Sequence, residues 1–340
     1  MIFRGGWPVA VTIYDLAAAA KVSISTVSKA LSDSYYVSEE TRRRVQELAA
    51  ELDYRPNARA RSFAQKKNGT VLFAADLSRG VGFENPHMFE IVTGIERHLD
   101  EKGYSLILKH VTGASAPDKI HELMLGEQAD GIILHAGIVT RELGMAMMKE
   151  ELPHLVIGKP VFPSGLSWMD ISHEAAGQLA ANYLLDKGYR RICFLMGDGE
   201  TDVISARRLS GLLLVMDDEN IPIETVNGIT SFEHSRVAMG EILRRETLPE
   251  VILCTNNYLA MGCMQSIRAA ALRIPEDIAL MTFDNYPLSM IVQPSLTAVE
   301  VDMFEMGWQA ARFMLQKIRK PKLQTQSFCT TPTVIERDST

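Results

Sequence analysis

Residues 11–32 read VTIYDLAAAAKVSISTVSKALS, and this stretch carries two short helical patterns in succession. Apolar residues recur at helical spacing over residues 13–20, the register breaks near Ser23, and the spacing resumes over residues 26–31. The run of four alanines in the first pattern allows a second helix to cross closely over it, as a helix-turn-helix requires. Ser23 is placed to cap the second helix, because its hydroxyl can accept a backbone N–H of the first turn. We therefore predict a helix-turn-helix near the start of the chain.

The second helical pattern leaves short polar groups and a cation on its outer face, at Ile24, Ser25, Ser28 and Lys29. A helix with such an N-terminal turn is suited to entering a DNA major groove. A helical hairpin packed inside a larger core is the alternative interpretation. The residues that follow are needed to decide between the two.

A third helix is predicted over residues 38–52, with apolar residues spaced to cover the first two helices. It is followed by YRPNARARSFAQKK at residues 54–67, and no carboxylate occurs between Asp53 and Asp76. A solvated linker would explain this segment, but a basic segment directly after a helix-turn-helix is better explained by phosphate neutralisation and minor-groove insertion. The combination favours DNA binding.

Charge is divided unevenly along the 340 residues. Residues 1–67 hold 11 Lys and Arg against 7 Asp and Glu, a net charge of +4, whereas the remainder carries −11. This asymmetry fits a DNA-reading head on an acidic body.

Cys193 and Cys254 lie in apolar runs and are expected to be reduced and buried. Residues 1–10 lack a signal-peptide core and no apolar run could span a bilayer, so we predict a cytoplasmic protein.

From Thr70 onward, short apolar strand patterns alternate with amphipathic helical patterns in two series. The strands are predicted at TVLFAADLS (70–78), YSLILKHV (104–111), GIILHAG (131–137), HLVIGKP (154–160), RICFLMG (191–197), VILCTN (251–256) and IALMTFD (278–284). The helices are predicted near residues 89–102, 119–127, 141–151, 173–187, 205–220, 233–245, 260–271 and 303–319. Strand-helix-strand units of this spacing demand parallel sheets with right-handed crossovers. We expect the chain to cross back near residues 295–302, so that the last helix completes the first lobe. Ligands in such sheets bind outside the carboxyl ends of the strands, here in the cleft between the lobes.

Polar residues interrupt the apolar runs where the predicted strands end: His135, Asn256, Asn257, Asp284 and Asn285, with Arg208 early in the helix after RICFLMG. Each residue taken alone is better explained as a helix cap, a turn or a solvated charge. Their shared position at strand ends favours a ligand site.

Four segments follow one another in order: TIYDLA at 12–17, VSISTVSKAL at 22–31, VSEETRRRV at 37–45 and YRPNARARS at 54–62. In these segments and through the rest of the chain, the sequence resembles the lactose-repressor (LacI) family of bacterial transcription regulators. The resemblance implies an all-α helix-turn-helix head joined by a hinge helix to an α/β two-lobed, periplasmic-binding-protein-like effector domain of two doubly wound parallel sheets.

The domain boundaries implied are a flexible N-terminal extension at 1–11, a DNA-binding head at 12–56, a hinge at 57–69 and an effector-binding and dimerisation domain at 70–340. Lobe 1 is expected at about 70–170 plus 302–330, and lobe 2 at about 171–298 plus 331–337.

The resemblance also implies site residues. DNA contacts are expected at Thr12, Tyr14, Ser23, Ile24, Ser25, Thr26, Ser28, Lys29, Asn57, Arg59, Ala60 and Phe63. Effector contacts are expected at Phe83, Asn85, Pro86, His135, Asp170, Arg208, Asn256 and Asp284.

Phe63 stands where the family usually has a leucine wedge, and Lys29 stands where arginine is frequent, so the operator sequence is not carried over. Thr230 stands where some sugar-binding members have an aromatic ring, and Val301 where a polar contact is common. Trp168 is a candidate for the missing ring, with packing at the lobe junction as the alternative.

We therefore predict a homodimeric DNA-binding regulator. It is expected to be a repressor that binds a pseudo-palindromic double-stranded operator. Its effector is predicted to be a carbohydrate or a sugar derivative, because vicinal hydroxyls can donate to a carboxylate and accept from an arginine. The sequence contains no P-loop, GxSxG or HExxH motif, so no enzyme activity, metal or cofactor is predicted. Control of the same regulator by a partner protein or a phosphometabolite is one alternative. A solute-binding transport receptor is another, but it would require a signal peptide and no basic head.

Overall fold

A computed structural model of the chain describes residues 3–4, 7–8, 11–31, 36–54, 68–78, 87–112, 116–125, 129–149, 153–198 and 202–340. The chain divides into two compact units, Met1–Gly69 and Thr70–Thr340. None of the helices within these ranges is long and apolar enough to cross a membrane.

The described part of the first unit contains three helices: α1 (Ile13–Ala20), α2 (Ile24–Leu31) and α3 (Glu39–Glu51). Each begins at a side-chain cap that satisfies a backbone N–H of its first turn. Thr12 and Asp15 form a reciprocal capping box at α1, and the Ser38 hydroxyl accepts the N–H of Thr41 at α3. The Ser23 hydroxyl accepts the N–H of Thr26 at 3.2 Å, which confirms the predicted cap of α2.

The three helices share one small core. Its buried residues come from all three helices and from Val37: Leu16, Ala17, Ala20, Val27, Ala30, Val37, Val45 and Ala49. The predicted helix-turn-helix with a covering third helix is confirmed. Ahead of it, β1 (Phe3–Arg4) and β2 (Trp7–Pro8) pair antiparallel, so the extension predicted as flexible contains a short ladder. Two-residue strands carry no alternating pattern from which they could have been predicted.

The second unit contains two six-stranded sheets. The sheet of lobe 1 has the order β13-β7-β6-β5-β3-β4. Its strands are β3 (Thr70–Ala75), β4 (Ser105–His110), β5 (Gly131–His135), β6 (His154–Ile157), β7 (Trp168–Ile171) and β13 (Gln326–Thr330). Helices α4 (His87–Glu101), α5 (Ala116–Leu125), α6 (Arg141–Lys149) and α12 (Met303–Arg319) cover its two faces.

The sheet of lobe 2 has the order β14-β12-β11-β10-β8-β9. Its strands are β8 (Ile192–Leu195), β9 (Ile223–Val226), β10 (Val251–Cys254), β11 (Ala279–Phe283), β12 (Thr297–Glu300) and β14 (Thr333–Ile335). Its helices are α7 (His173–Asp186), α8 (Val203–Asp218), α9 (Phe232–Ile242), α10 (Asn257–Ala269) and α11 (Pro287–Ile291). The strand pairs of both sheets are parallel, except that β14 runs antiparallel to β12.

The central strands are apolar along their whole length because helices bury both faces of each sheet. Ile252 and Cys254 on one face of β10 pack under α9 and α10, while Val251 and Leu253 on the other face pack under α7 and α8. Cys193 and Cys254 are buried free thiols, as predicted.

The chain crosses between the lobes three times. It enters lobe 2 after β7, returns to lobe 1 with α12 and β13, and ends in lobe 2 with β14. The predicted return of residues 303–319 to the first lobe is confirmed, because α12 packs on α4 with Gly94 and Gly307 at the crossing. A side chain at either glycine would collide with a backbone carbonyl of the facing helix.

Sequence patterns missed β7, β9, β12, β13 and β14. β9, β13 and β14 are edge strands, where one side is open and polar residues are tolerated. β7 and β12 are second from an edge and buried, but each is only four residues long and includes a charged residue, so neither forms a continuous apolar run. The sequence IETV of β9 and the sequence QSFCT of β13 are short and only half-buried. Their pairing is decided by the neighbouring strand rather than by their own hydrophobicity.

Candidate functional site

The first candidate site is the outer face of α2. Ser23, Ser25, Ser28 and Lys29 are exposed there, and Ile24 is 40% exposed although it is apolar. This face offers hydroxyl groups that donate or accept and an ammonium group that donates, which are the groups that read base edges and phosphates.

The remaining residues predicted to contact DNA are placed as follows. Tyr14 is exposed and Thr26 is half-buried. The Thr12 hydroxyl lies 2.6 Å from the Asp15 carboxylate within the capping box, a structural role that the sequence analysis did not foresee. Asn57, Arg59, Ala60 and Phe63 lie outside the described residues.

The second candidate site is a cavity of about 460 Å³ between the lobes. A cavity of this size suits a small molecule. All five of the predicted effector residues that are described line it: His135, Asp170, Arg208, Asn256 and Asp284. The other three, Phe83, Asn85 and Pro86, lie outside the described residues. The five come from three strand ends of the two sheets and from two helix starts, so the cavity occupies the position expected for a doubly wound fold.

Arg208 and Asp284 form the centre of the lobe 2 wall. Arg208 lies in the second turn of α8 and is almost wholly buried. One terminal nitrogen donates to the carbonyl oxygen of Thr255 at 2.7 Å, and the other donates to Asp284 Oδ1 at 2.9 Å. The guanidinium also lies over the Phe283 ring, 4.5 Å from its centroid. These three contacts hold the arginine in one orientation against the cavity.

Asp284 follows β11 and has a φ of +70°, in the left-handed region. Aspartate tolerates that region better than most residues, but strain of this kind persists only where the surroundings over-determine it. The Asp284 N–H donates to the carbonyl oxygen of Val299 at 2.9 Å. The backbone therefore aims this carboxylate at Arg208.

His87, which the sequence analysis did not select, completes this group from lobe 1. Its Nε2 lies 3.1 Å from Asp284 Oδ1, and its ring stands 4.6 Å from that of Tyr286. The N–H is not aligned on the oxygen, so the contact is an ion pair rather than a directed hydrogen bond. His87 begins α4 directly after Pro86, so its place beside a predicted effector residue was the one signal available.

Charge and burial oppose one another in this group. Burial lowers the pKa of His87, but the carboxylates of Asp284 and, 3.9 Å from the other ring nitrogen, Glu90 outweigh burial and the His87 pKa is raised to about 9. Burial would raise the pKa of Asp284, yet Arg208 and His87 hold it well below its ordinary value. At neutral pH, His87 and Arg208 are therefore both cationic beside the ionised Asp284, and Glu90 lies on the other side of His87.

Asp170 anchors the lobe 1 wall. Its Oδ2 accepts the backbone N–H of Lys159 at 2.8 Å and its Oδ1 accepts that of Ile171 at 2.8 Å. Arg207 of α8 approaches it to 3.5 Å. Burial raises the pKa of Asp170, although the two N–H groups and the arginine act against that rise. His173, at the start of α7, lies 3.7 Å from Asp170; burial and the charge of Arg208 lower the pKa of His173 to about 3, so it is neutral.

Among the residues that the structure describes, two ion pairs thus cross the cleft. His87 of lobe 1 meets Asp284 of lobe 2, and Asp170 of lobe 1 meets Arg207 of lobe 2. A change in the angle between the lobes would alter both pairs, and so would a ligand that inserted between their members.

The last two predicted residues have local structural partners as well as cavity positions. The Asn256 side chain caps α10 by accepting the N–H of Leu259 at 3.1 Å. His135 Nδ1 accepts the N–H of Gly137 at 3.3 Å, and burial lowers the pKa of the His135 imidazole.

Trp168, the candidate for the missing ring, and the two positions at which the sequence departs from the family pattern, Val301 and Thr230, are not among the described residues that line the cavity. Trp168 packs in the lobe 1 core, edge-on to Phe328. Val301 is buried in the other core layer of lobe 1, and Thr230 is exposed and contacts His234. Packing is therefore the better explanation of Trp168.

Comparison with known proteins gives the same division of the chain. Residues 12–57 match the family described as "Bacterial regulatory proteins, lacI family", and residues 181–340 match a "Periplasmic binding protein-like domain". Catabolite control protein A of Priestia megaterium is 31% identical over 91% of this chain and 93% of its own length. The ribose operon repressor of Escherichia coli (strain K12) is 30% identical over 96% of this chain and 99% of its own.

Among solved structures, the lac repressor dimer bound to operator and the anti-inducer ONPF superposes with a TM-score of 0.74. That comparison covers 97% of this chain and 99% of the other at 24% identity. The likeness extends over both units.

A helix-turn-helix head combined with a two-lobed ligand-binding fold defines a class of protein, the DNA-binding transcription regulators that respond to small molecules. Within that class, the chain belongs to the LacI family of bacterial regulatory proteins. The named relatives are transcriptional regulators rather than enzymes.

Proposed function

We propose that the protein is a cytoplasmic, homodimeric repressor whose affinity for a pseudo-palindromic operator is set by a sugar or sugar derivative bound between the lobes. One observation carries the proposal: five polar residues from distant parts of the sequence converge on a single cavity, with the Arg208–Asp284 pair at its centre. A carboxylate beside a guanidinium complements vicinal hydroxyls, since the first accepts and the second donates. Neither group is suited to binding apolar ligands.

The proposed roles follow from these positions. Arg208 and Asp284 hold the effector from lobe 2 with Asn256, while His135 and Asp170 hold it from lobe 1. Phe83, Asn85 and Pro86 are proposed to close over it. The DNA contacts are proposed at the residues of the α1–α2 face and in the hinge at residues 57–69, between the head at 12–56 and the effector domain.

The relatives support the effector class. One is named for the ribose operon, and the superposable structure contains the anti-inducer ONPF with its operator. Cleavage and group transfer are not part of this proposal, because the cavity needs only to bind and release a ligand.

The proposed mechanism depends on the cleft-crossing ion pairs. Lobe 1 begins at Thr70, directly after the hinge, so a rotation of lobe 1 changes the spacing of the two hinges in a dimer. An effector that prefers one lobe angle shifts the equilibrium toward it, and only by the difference in its affinity for the two states.

The test is Arg208→Ala in the full-length protein. An operator is first selected from random DNA with the wild type, and an effector is selected by thermal shift, since a ligand of the folded state raises the unfolding temperature. We expect Arg208→Ala to bind the operator as the wild type does but to lose the response to effector. The matched control is Arg236→Ala, whose arginine pairs with Glu233 on the surface of lobe 2 and should leave the response unchanged. A normal response in Arg208→Ala would overturn the assignment of the cavity.

A further inference from the structure

Asn285 follows β11 at the edge of the cavity but is not among the described residues that line it. Asp284 precedes it and Tyr286 follows it, and both of these residues line the cavity. The side chain of Asn285 bonds instead to Glu300 and Arg337. This short turn therefore presents two residues to the effector and is attached to lobe 2 through the residue between them.

The Asn285 amide is bonded at both ends. Its Nδ2 donates to Glu300 Oε1 at 2.7 Å, and its Oδ1 accepts from a terminal nitrogen of Arg337 at 2.7 Å. Because a carboxylate can only accept and a guanidinium can only donate, just one orientation of the amide satisfies both partners. Hydrogen bonds to charged groups are also stronger than those between neutral groups. The two bonds therefore fix the side chain of Asn285.

Arg337 reaches Asn285 from a firmly held segment. Its other terminal nitrogen donates to the carbonyl oxygen of Leu296 at 2.6 Å, and its backbone N–H donates to the Thr297 hydroxyl at 3.0 Å. Two residues further on, the hydroxyl of the fully buried Ser339 accepts the N–H of Thr297 at 2.9 Å. This segment is thus held against β12, and the guanidinium bridges it to Asn285.

Support matters here because the turn is strained. Asp284 has a φ of +70°, and strain of this kind persists at a site only where neighbouring contacts hold the backbone in place. The Asp284 N–H bonds to the carbonyl oxygen of Val299, and the Asn285 amide adds the side-chain contacts of the next residue. Once those contacts are lost, relaxation of the turn carries the Asp284 carboxylate away from Arg208.

We propose that Arg337 and Glu300 are positioning residues for effector binding. They hold the Asn285 amide between them, and this amide fixes Asp284 and Tyr286 against the cavity. The inference rests on the proposed function, since it assigns the support of that same site. Neither Arg337 nor Glu300 is among the described residues that line the cavity, so both act through Asn285 rather than on the ligand.

The experiment compares two variants of Arg337 with a matched control in the full-length protein. Arg337→Met keeps an apolar stem but removes the donors, and Arg337→Lys keeps the charge but lacks the rigid fork that serves two acceptors. The control is Glu336→Gln, because Glu336 is exposed in the same segment and pairs with Lys187 on the surface.

The probes are D-ribose, D-glucose, D-galactose and cellobiose, and calorimetry measures the dissociation constant of each sugar that binds. We expect both Arg337 variants to bind the sugar about tenfold more weakly than the wild type, the effect typical of one hydrogen bond to a charged group. Glu336→Gln should bind it as the wild type does.

A double-mutant cycle tests whether Arg337 acts through Asn285. Asn285→Leu removes both bonds of the amide at once. If the proposed route is correct, Arg337→Met causes no further loss of affinity in a chain that already carries Asn285→Leu. Additive losses would show that Arg337 acts by another route and would overturn the proposal.

The pH dependence of stability supplies a readout without ligand. Displacement of Asp284 weakens its pair with His87, whose contribution is lost as the pH rises. The other groups that interact electrostatically with His87 are retained in every variant: Glu90, Arg208 and His173. We expect the wild type to exceed Arg337→Met in free energy of unfolding, by an amount that shrinks between about pH 6 and about pH 10. A purely structural role of Arg337 would lower stability equally at each pH.

The outcomes separate this inference from the proposed function. Weaker sugar binding in both Arg337 variants, without further loss in the double variant, supports the inference. An unchanged dissociation constant in Arg337→Met, or a stability difference that is independent of pH, overturns the inference and leaves the proposed function standing. If the wild type binds none of the four sugars, a neutral sugar is contradicted as effector and the pH dependence alone decides the inference. Should Arg337→Met fail to fold, as judged by circular dichroism, Arg337→Lys takes its place in every comparison.

Discussion

At the scale of single residues, the most informative group is Asp284 with its two cationic neighbours. A carboxylate that is buried and backbone-strained is unfavourable in isolation. Arg208 and His87 compensate it from two different elements, one in each lobe. The pair with Arg208 lies within lobe 2 and belongs to its fold, whereas the pair with His87 crosses the cleft and depends on pH.

The pH dependence of stability has a definite sign. The pKa of His87 is raised from its ordinary value of 6.5 to about 9 in the folded protein. Its contribution is therefore complete below pH 6.5 and is lost as the pH rises through about 9. At about 1.4 kcal/mol per tenfold change in proton affinity, a rise of this size corresponds to about 3 kcal/mol. Asp284 stays ionised and Tyr286 and His173 stay neutral over this interval, because their pKa values are shifted away from it.

We expect the wild type to have a larger free energy of unfolding than His87→Gln at low pH. This difference between the two proteins should shrink as the pH is raised. The measurement is urea unfolding of both proteins between about pH 6 and pH 10. His234→Gln is the control for a general effect of losing an imidazole. If the difference in free energy of unfolding between wild type and His87→Gln does not change with pH, the ion pair contributes nothing to stability.

At the scale of elements, helix crossings position the site. Helix α8 carries Arg207 and Arg208, and it crosses α7 at Gly177 and Gly211. A methyl group on Gly177 would collide with the carbonyl oxygen of Arg208 itself. The absence of a side chain therefore fixes how closely α8 approaches α7, and with it the position of both arginines.

We expect Gly177→Ala to lower the free energy of unfolding by about 1–3 kcal/mol, as overpacking of a close contact does, and to weaken effector binding by displacing α8. The control is Gly240→Ala in α9, where an added Cβ meets nothing within 4 Å. That variant should be neutral or stabilised by up to about 1 kcal/mol, because alanine is the better helix former. Equal effects of the two substitutions on stability and on ligand affinity would contradict the role of the α7–α8 crossing.

At the scale of the whole molecule, the two compact units separate the two proposed activities. Residues 1–67 carry a net charge of +4 and the remainder carries −11. Electrostatic attraction to phosphates is therefore concentrated in the head, whereas the effector cavity belongs to the second unit. Substitutions in one unit should leave the intrinsic binding of the other unchanged.

Lys29→Ala tests this separation. We expect it to weaken binding to the selected operator by about 1–3 kcal/mol, as loss of a base contact does, and to weaken binding to random DNA less. The affinity for effector should not change. Arg43→Ala removes a cation from the exposed side of α3 and should affect selected and random DNA alike. Equal losses on both DNAs for Lys29→Ala, measured by fluorescence anisotropy at one salt concentration, would make Lys29 a phosphate contact.

The sequence by itself determined what depends on local pattern. The helices of the head, the Ser23 cap and the alternation of apolar strands with amphipathic helices are all set by neighbours a few residues apart, and these predictions were confirmed. His135, Asn256 and Asp284 could be selected because parallel strands bring their carboxyl ends to one edge, and Arg208 because it lies early in the helix that follows a strand. Asp170 was implied only by the resemblance to the family. The edge strands β9 and β13 could not be predicted, because a partner strand rather than their own hydrophobicity orders them.

Only the tertiary structure decided which charges meet. His87 and Asp284 are far apart in the sequence and lie in different lobes, yet their atoms come within 3.1 Å. Whether a histidine is cationic or neutral depends on burial and on the charges around it, as the opposite shifts of His87 and His173 show. The chemistry of the ligand therefore depends on contacts made across the fold, which no local pattern encodes.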